Sequence, residues 1–424
     1  MTQPLHPRRR AYNPLRTARP LAHAPGSPRF SGLDILDELG GAPGMLLWQT
    51  FRDAELWAAG EGARRGLFAR PDATRAAAIA DLPAEPYAAI RAPLGLLSLL
   101  PHQRDADAPA VGQACDAVAR WAQGLGHLGT AVEYQQVASL ADPRTALHAV
   151  RAGRWLRMRA EYSRAWSWFE HGVVIARREG DWQAYCEAWA GIGNLYVQLG
   201  NYPRAREAHR RVLRAARRKH LPDMVASAYH NLFVVEMEIG QVERAEEHAQ
   251  RALRFYPLSS PSLPRLARDL AWRWMLLGHF ERALPLAQEA LSHFVGPADR
   301  ALLWSDIARA AAGAGDVDEF ENAWAQTRVL FADHPMDPWP ADILVNLAHA
   351  AAFLGERTRA AWAAGKAVET ARARKESTLL LSAEAILDSL ARTPRLPASR
   401  PARGEPDTLV ERFVGRLRAA RAAA

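Results

Sequence analysis

The sequence predicts an all-α protein, an α-solenoid of about seven helical hairpins with an N-terminal helical cap and a C-terminal amphipathic helix. Three observations carry this expectation. The first is a recurring marker: a turn residue, an aromatic or apolar residue two positions on, and a small residue three beyond that. It appears as Gly126-x-Leu128-x2-Ala131, Ala160-x-Tyr162-x2-Ala165, Gly200-x-Tyr202-x2-Ala205, Gly240-x-Val242-x2-Ala245, Gly278-x-Phe280-x2-Ala283, Gly315-x-Val317-x2-Phe320 and Gly355-x-Arg357-x2-Ala360, with successive spacings of 34, 40, 40, 38, 37 and 40 residues. The second is helical periodicity: Trp189, Ile192 and Tyr196 stand at i, i+3 and i+7 and form one apolar face. The third is the placing of small residues. Gly193 and Ala205 let two antiparallel helices approach at their crossing, and Gly200 ends the first of them. One such hairpin cannot bury its own apolar face, so it implies stacked neighbours.

In chain order, residues 1–32 hold six prolines, a run of arginines and no acid, and are expected to be a disordered tail. Residues 33–108 read as the helical cap. Leu33–Leu39 makes a short helix stopped by Gly40 and Gly41, and Leu47, Phe51, Ala54 and Ala58 form a stripe on the next. Further helices are expected over Asp72–Ala80 and Glu85–Leu100. The hairpins fill residues 109–392, with Phe320 departing from the small residue of the marker, and Glu376–Leu390 is a lone final helix over the last hairpin. Residues 393–406, with four prolines and a glycine, form a linker. In residues 407–424, Thr408-x2-Glu411 is a capping box that opens a helix with Val410, Phe413, Val414 and Leu417 on one face. That helix is expected to dock on the solenoid or on a partner, or, because arginines flank the apolar stripe, to lie on a membrane surface.

The stretch Trp189-x2-Ile192-Gly193-x2-Tyr196, followed by Gly200, Tyr202, Ala205, His209, Val212 and Leu213, resembles the tetratricopeptide repeat (TPR). The resemblance extends over residues 109–392. Periods near 40 are similar to those of TPR-like arrays in the sensor regions of bacterial transcription activators and in quorum-peptide receptors. Those receptors carry a helix-turn-helix ahead of the array, whereas residues 33–104 show no recognition helix. The resemblance implies a protein-interaction scaffold or adaptor.

Composition narrows the function classes. The chain carries a net charge of +8, but lysine occurs only as Lys219, Lys366 and Lys375, leaving 51 arginines. With the abundance of alanine, this reads as the bias of a GC-rich bacterial genome before it reads as a polyanion surface. No apolar run approaches the ~18 residues of a membrane span. Cys115 and Cys186 stand far apart and imply neither a disulfide framework nor a zinc site, which fits a cytoplasmic protein. There is no phosphate loop, nucleophile elbow or metalloprotease motif, so no enzyme and no cofactor is expected. His209 falls at a core position of its hairpin, and His171 and the pair Glu236 and Glu238 make no catalytic set.

Function is therefore expected on the face that a TPR superhelix lines with the first helix of each hairpin. Six residues before each marker stand Arg120, Arg154, Asn194, Val234, Trp272, Arg309 and His349. The resemblance implies more for Asn194, Asn231 and Arg265, which match three positions of the TPR clamp for a peptide C-terminal carboxylate. Ala190 and Asp269 depart from that clamp, and Arg268 is the substitute cation. The candidate groove is thus Asn194, Asn231, Arg265, Arg268, Arg154, Arg309 and His349, taking an extended, acidic peptide or a partner helix. The runner-up is a ligand- or peptide-sensing regulatory module. Nucleic acid binding through the arginines at 204–218 is a second alternative, disfavoured because no aromatic residue is interleaved with them to stack bases.

Overall fold

The computed structural model describes residues 32–60, 72–102, 106–333, 336, 339–392 and 408–422. The expected tail, but for Gly32, and the expected linker lie outside them. Among the described residues every regular element is a helix.

Contacts divide the described chain into two compact units. The first holds residues up to Trp121, Gly129–Gly153 and Ser167–Ala184; the second holds Ala122–Leu128, Arg154–Trp166 and Tyr185 onward. Unit 1 contains α1 (Leu33–Leu39), α2 (Gly41–Ala58), α3 (Asp72–Ala80), α4 (Ala84–Tyr87) and α5 (Arg91–Ser98), with most of α6 (Ala108–Gly124) and α7 (Leu128–Ala141). The expected single helix over Glu85–Leu100 is instead α4, a 3-10 turn at Ala88–Ile90, and α5. Pro86 and Pro93 explain the interruption, because each removes a backbone donor.

The cap is fastened to the first hairpin by its polar atoms as well as its core. Glu38 accepts from the free N–H groups of Gly129 and Thr130 at 2.7 Å each, so a carboxylate sits on the positive end of α7. Tyr134 on α7 donates to Leu47 O at 2.6 Å, and its ring meets Phe51 edge-on at 5.8 Å. Leu47, Phe51 and Ala54 of the predicted stripe are all fully buried.

The hairpins continue as α8 (Ala146–Met158) with α9 (Tyr162–Glu179), α10 (Trp182–Gln198) with α11 (Tyr202–Arg218), α12 (Pro222–Glu238) with α13 (Val242–Phe255), and α14 (Leu263–Leu276) with α15 (Phe280–Leu291). Then follow α16 (Pro297–Ala314) with α17 (Val317–Asp333), α18 (Pro340–Phe353) with α19 (Arg357–Arg374), the final α20 (Ser377–Arg392), and α21 (Thr408–Ala422). All seven marker residues have positive φ: Gly126, Gly200, Gly240, Gly278, Gly315 and Gly355 between 69° and 86°, and Ala160 at 60°. Each turn closes with the same bond, from the N–H one residue past the marker to the carbonyl five residues before it. His127, Glu161, Asn201, Gln241, His279, Asp316 and Glu356 make it at 2.8–2.9 Å. This is the Schellman closure, which satisfies helix carbonyls that otherwise have no partner.

Small residues set the helix crossings. Ala205, Ala245, Ala283 and Ala360 are fully buried, and Phe320 is buried in the same place with its ring 5.6 Å from Trp324. In unit 2, α16 packs on both α17 and α18, and α18 on α19 and α20. Also within unit 2, Arg374 donates to Met158 O at 2.9 Å. The C-terminal helix α21 docks in cis on α14 and α15, burying Leu409, Val410, Phe413 and Leu417. Arg416 donates to Leu253 O and, at 2.6 Å, to Tyr256 O, so a guanidinium caps the C-terminal end of α13. Arg418 and Arg421 reach Glu289 at 3.1 and 3.2 Å.

Candidate functional site

Asn194, Asn231 and Arg265 lie six, nine and thirteen residues before their own markers, on α10, α12 and α14. Those offsets differ by three, four and seven, the steps that keep residues on one face of an α-helix. The structure places all three without a hydrogen-bond or ion-pair partner among the described residues. Asn194 and Asn231 are half-buried, and Arg265 is exposed.

The other candidate residues are held by neighbours. Arg268 donates through Nε to Asp306 Oδ2 at 2.7 Å and lies 3.5 Å from Asp269 Oδ1. Asn346 donates to Asp306 Oδ1 at 2.7 Å and to Ser305 Oγ at 3.3 Å, and Arg309 donates to Asn346 Oδ1 at 3.2 Å. The network thus joins α14, α16 and α18, with Asp306 and Ser305 fully buried. Burial works against the charge of Arg268, but Asp306 and Asp269 outweigh it and raise its pKa. Burial pushes Arg309 down to about 10. Nearby, Asp342 is pushed up to about 7 by burial and by Glu376 and Asp306, with Arg268 opposing.

His349 stacks on Phe353 at 6.1 Å, and burial with the charge of Arg309 holds its imidazole down to about 3. Arg154 is exposed and pairs with Glu187 at 3.4 Å. Asp269, the residue that departs from the clamp, accepts a hydrogen bond from His230 Nε2 at 2.7 Å, and His230 Nδ1 lies 3.3 Å from Tyr256 OH. So the structure brings Arg268 and Arg309 into one internal network and leaves Asn194, Asn231 and Arg265 available on three successive first helices.

The sequence reading did not single out Asp306 and Asn346, which anchor the network. A signal was present: Asn231, Asp269, Asp306 and Asn346 all stand nine residues before a marker, a column of short polar side chains. In unit 1, Asp116 is buried between His148 Nδ1, at 3.7 Å, and Arg151. Burial raises its carboxyl, and His148 and Arg151 more than reverse that, leaving it well below the usual range. Among the described residues no cluster of His, Cys, Asp and Glu is arranged to hold a metal, and no helix is long and apolar enough to cross a membrane.

Residues 184–258, which span α10 to α13, match the family model of the tetratricopeptide repeat. No curated protein sequence matches the chain. Among solved structures it is similar to BtubC (BKLC) from P. vanneervenii, at 19% identity over 50% of this chain and 93% of that one, with a TM-score of 0.38. It is similar to the APC/C hetero-tetramer Cut9–Hcn1 at 15% identity, covering 82% of this chain and 58% of that one, with a TM-score of 0.43. It is also similar to a tetratricopeptide repeat protein from Parabacteroides merdae, at 16% identity over 64% and 98% of the two chains and a TM-score of 0.39. The repeat is a fold used generally for protein–protein interaction. The chain is a TPR-like repeat protein, with the family's own sequence pattern at residues 184–258.

Proposed function

We propose that the protein is an interaction scaffold or adaptor that holds an extended peptide or a partner helix on the face formed by α10, α12 and α14. One observation carries this reading: Asn194, Asn231 and Arg265, on three successive first helices, have no hydrogen-bond or ion-pair partner among the described residues, while the same face on α14, α16 and α18 is occupied by its own polar network. An asparagine side chain offers both a donor and an acceptor, so it suits a peptide backbone whatever the side chains. Arg265 adds a fork that binds a carboxylate at two points. The satisfied network beside it keeps the three helices in register without competing for the ligand.

The test begins with a pull-down that identifies a protein partner by mass spectrometry. Calorimetric titration of that partner then compares the natural chain with the Asn194→Ala, Asn231→Ala double variant. Each substitution is expected to weaken binding by about 1–3 kcal/mol, the penalty for a donor or acceptor left unpaired at an interface. Arg265→Glu is expected to weaken an acidic partner further, with an effect that shrinks at high salt. Full affinity in the double variant would remove this face from consideration.

A further inference from the structure

The arginines of α11 look different once α10 is beside them. Arg204, Arg211, Arg214 and Arg218 are all exposed, and none is within ion-pair reach of a carboxylate among the described residues. Arginines on other helices do find one: Arg154 with Glu187, Arg251 with Glu247, Arg359 with Glu321 and Arg372 with Glu384. The four are spaced seven, three and four residues apart, so they share one side of α11 and form a stripe roughly 21 Å long at 1.5 Å per residue.

The aromatic partners absent from the arginine stretch 204–218 come from α10. The Arg211 guanidinium lies 4.2 Å from the centre of the Trp189 ring, and that of Arg204 lies 5.7 Å from the centre of Tyr196. Trp166 braces Tyr196 from behind, edge-on at 5.1 Å. Trp189, Tyr196, Arg204, Glu207, Ala208 and Arg211 enclose a cleft of about 170 Å³. A guanidinium laid on a ring is held in place, with its N–H edge and second face still open.

We propose that this α10–α11 face binds single-stranded nucleic acid. The stripe meets a run of backbone phosphates, and the cleft receives a base stacked on the arginine planes and on Trp189 or Tyr196. Protein surfaces for unpaired strands combine a positive track with stacking platforms in this way, and arginine planes serve as platforms as rings do. Glu207, in the middle of the stripe, opposes a purely acidic ligand but accepts from the N–H groups of a base edge. An acidic peptide would use the charges and leave the stacking surfaces idle. The site lies on a different face from Asn194, Asn231 and Arg265 and does not depend on them.

The full chain is titrated into a fluorescein-labelled oligouridine of about 12 nucleotides, read by anisotropy, at about 50 and 200 mM potassium chloride. Binding that weakens with salt is expected. The Arg211→Ala, Arg214→Ala variant should bind at least tenfold more weakly and lose about 1.4 units of the log–log salt slope, at ~0.7 per phosphate contact on a single strand. Trp189→Leu should weaken binding at least fivefold with the slope kept, as loss of a stacking platform does. Tyr196→Leu provides the same readout should the half-buried Trp189 prove necessary for folding. No binding of the oligouridine, or equal affinity in the double arginine variant, would overturn the proposal. So would displacement by a poly-glutamate peptide as effective as that by unlabelled oligouridine, which would mark an acidic-peptide surface. A duplex of the same length binding more tightly than the single strand would overturn it as well.

Discussion

His209 shows how a single residue records both the fold and its pH limit. It is fully buried, neither ring nitrogen has a hydrogen-bond partner among the described residues, and it fills the space that Gly193 leaves open. A methyl group on Gly193 would stand 2.4 Å from its Cε1. Burial, with the charge of His230 adding to it, pushes its pKa down to about 3. The folded chain therefore keeps His209 neutral, while the unfolded chain takes up a proton below about 6.5. Its contribution to stability is intact above that value and is lost as the pH falls from about 6.5 towards 3, at up to ~1.4 kcal/mol per pH unit. His209→Leu removes no hydrogen bond and is expected to flatten this acid limb. Urea unfolding at about pH 7 and pH 5 checks it: the variant should lose less stability between the two than the natural chain. An unchanged difference would show that His209 is protonated in the folded state.

At the scale of elements, the turns were legible because their physics is local. A Schellman turn needs positive φ, glycine supplies it at little cost, and six of seven markers are glycine. Ala160, strained at φ 60°, was found only through its spacing. The apolar face of α21 was legible too, from Val410, Phe413 and Leu417 at helical steps, but its landing place was not. Nothing in Thr408–Ala422 names the C-terminal carbonyls of α13 that Arg416 caps, more than 150 residues away. Phe413 is fully buried in the core that α14 and α15 share, so Phe413→Asp would bury an unpaired charge. The helix is expected to detach. Limited proteolysis should then cut between residues 393 and 407 faster than in the natural chain, while Arg412→Ala, an exposed residue on the same helix, leaves the rate nearly unchanged. Equal rates for the natural chain and Phe413→Asp would mean that α21 is not held by this face.

For the molecule as a whole, the repeat period determined the architecture, but which polar side chains are engaged with one another required the structure. Asn194, Asn231, Arg265, Arg268 and Arg309 all carry polar side chains in the right columns. Sequence cannot distinguish those that satisfy one another from those left open, because Arg268 and Asp306, or Arg309 and Asn346, meet across a gap of 37 or 38 residues. The same limit hid the α10 aromatics behind the arginines of α11. The cap escaped the repeat template because its attachment rests on single contacts, such as Glu38 on the start of α7, that do not recur. The central claim is that the first helices of the hairpins carry the partner. Site-specific photocrosslinking tests it most directly, with the crosslinker placed at Asn231 on α12 in one chain and at exposed Arg244 on α13 in another. With the protein partner from the pull-down, capture from position 231 and none from position 244 is the predicted result. Capture from position 244 with none from position 231 would contradict the account.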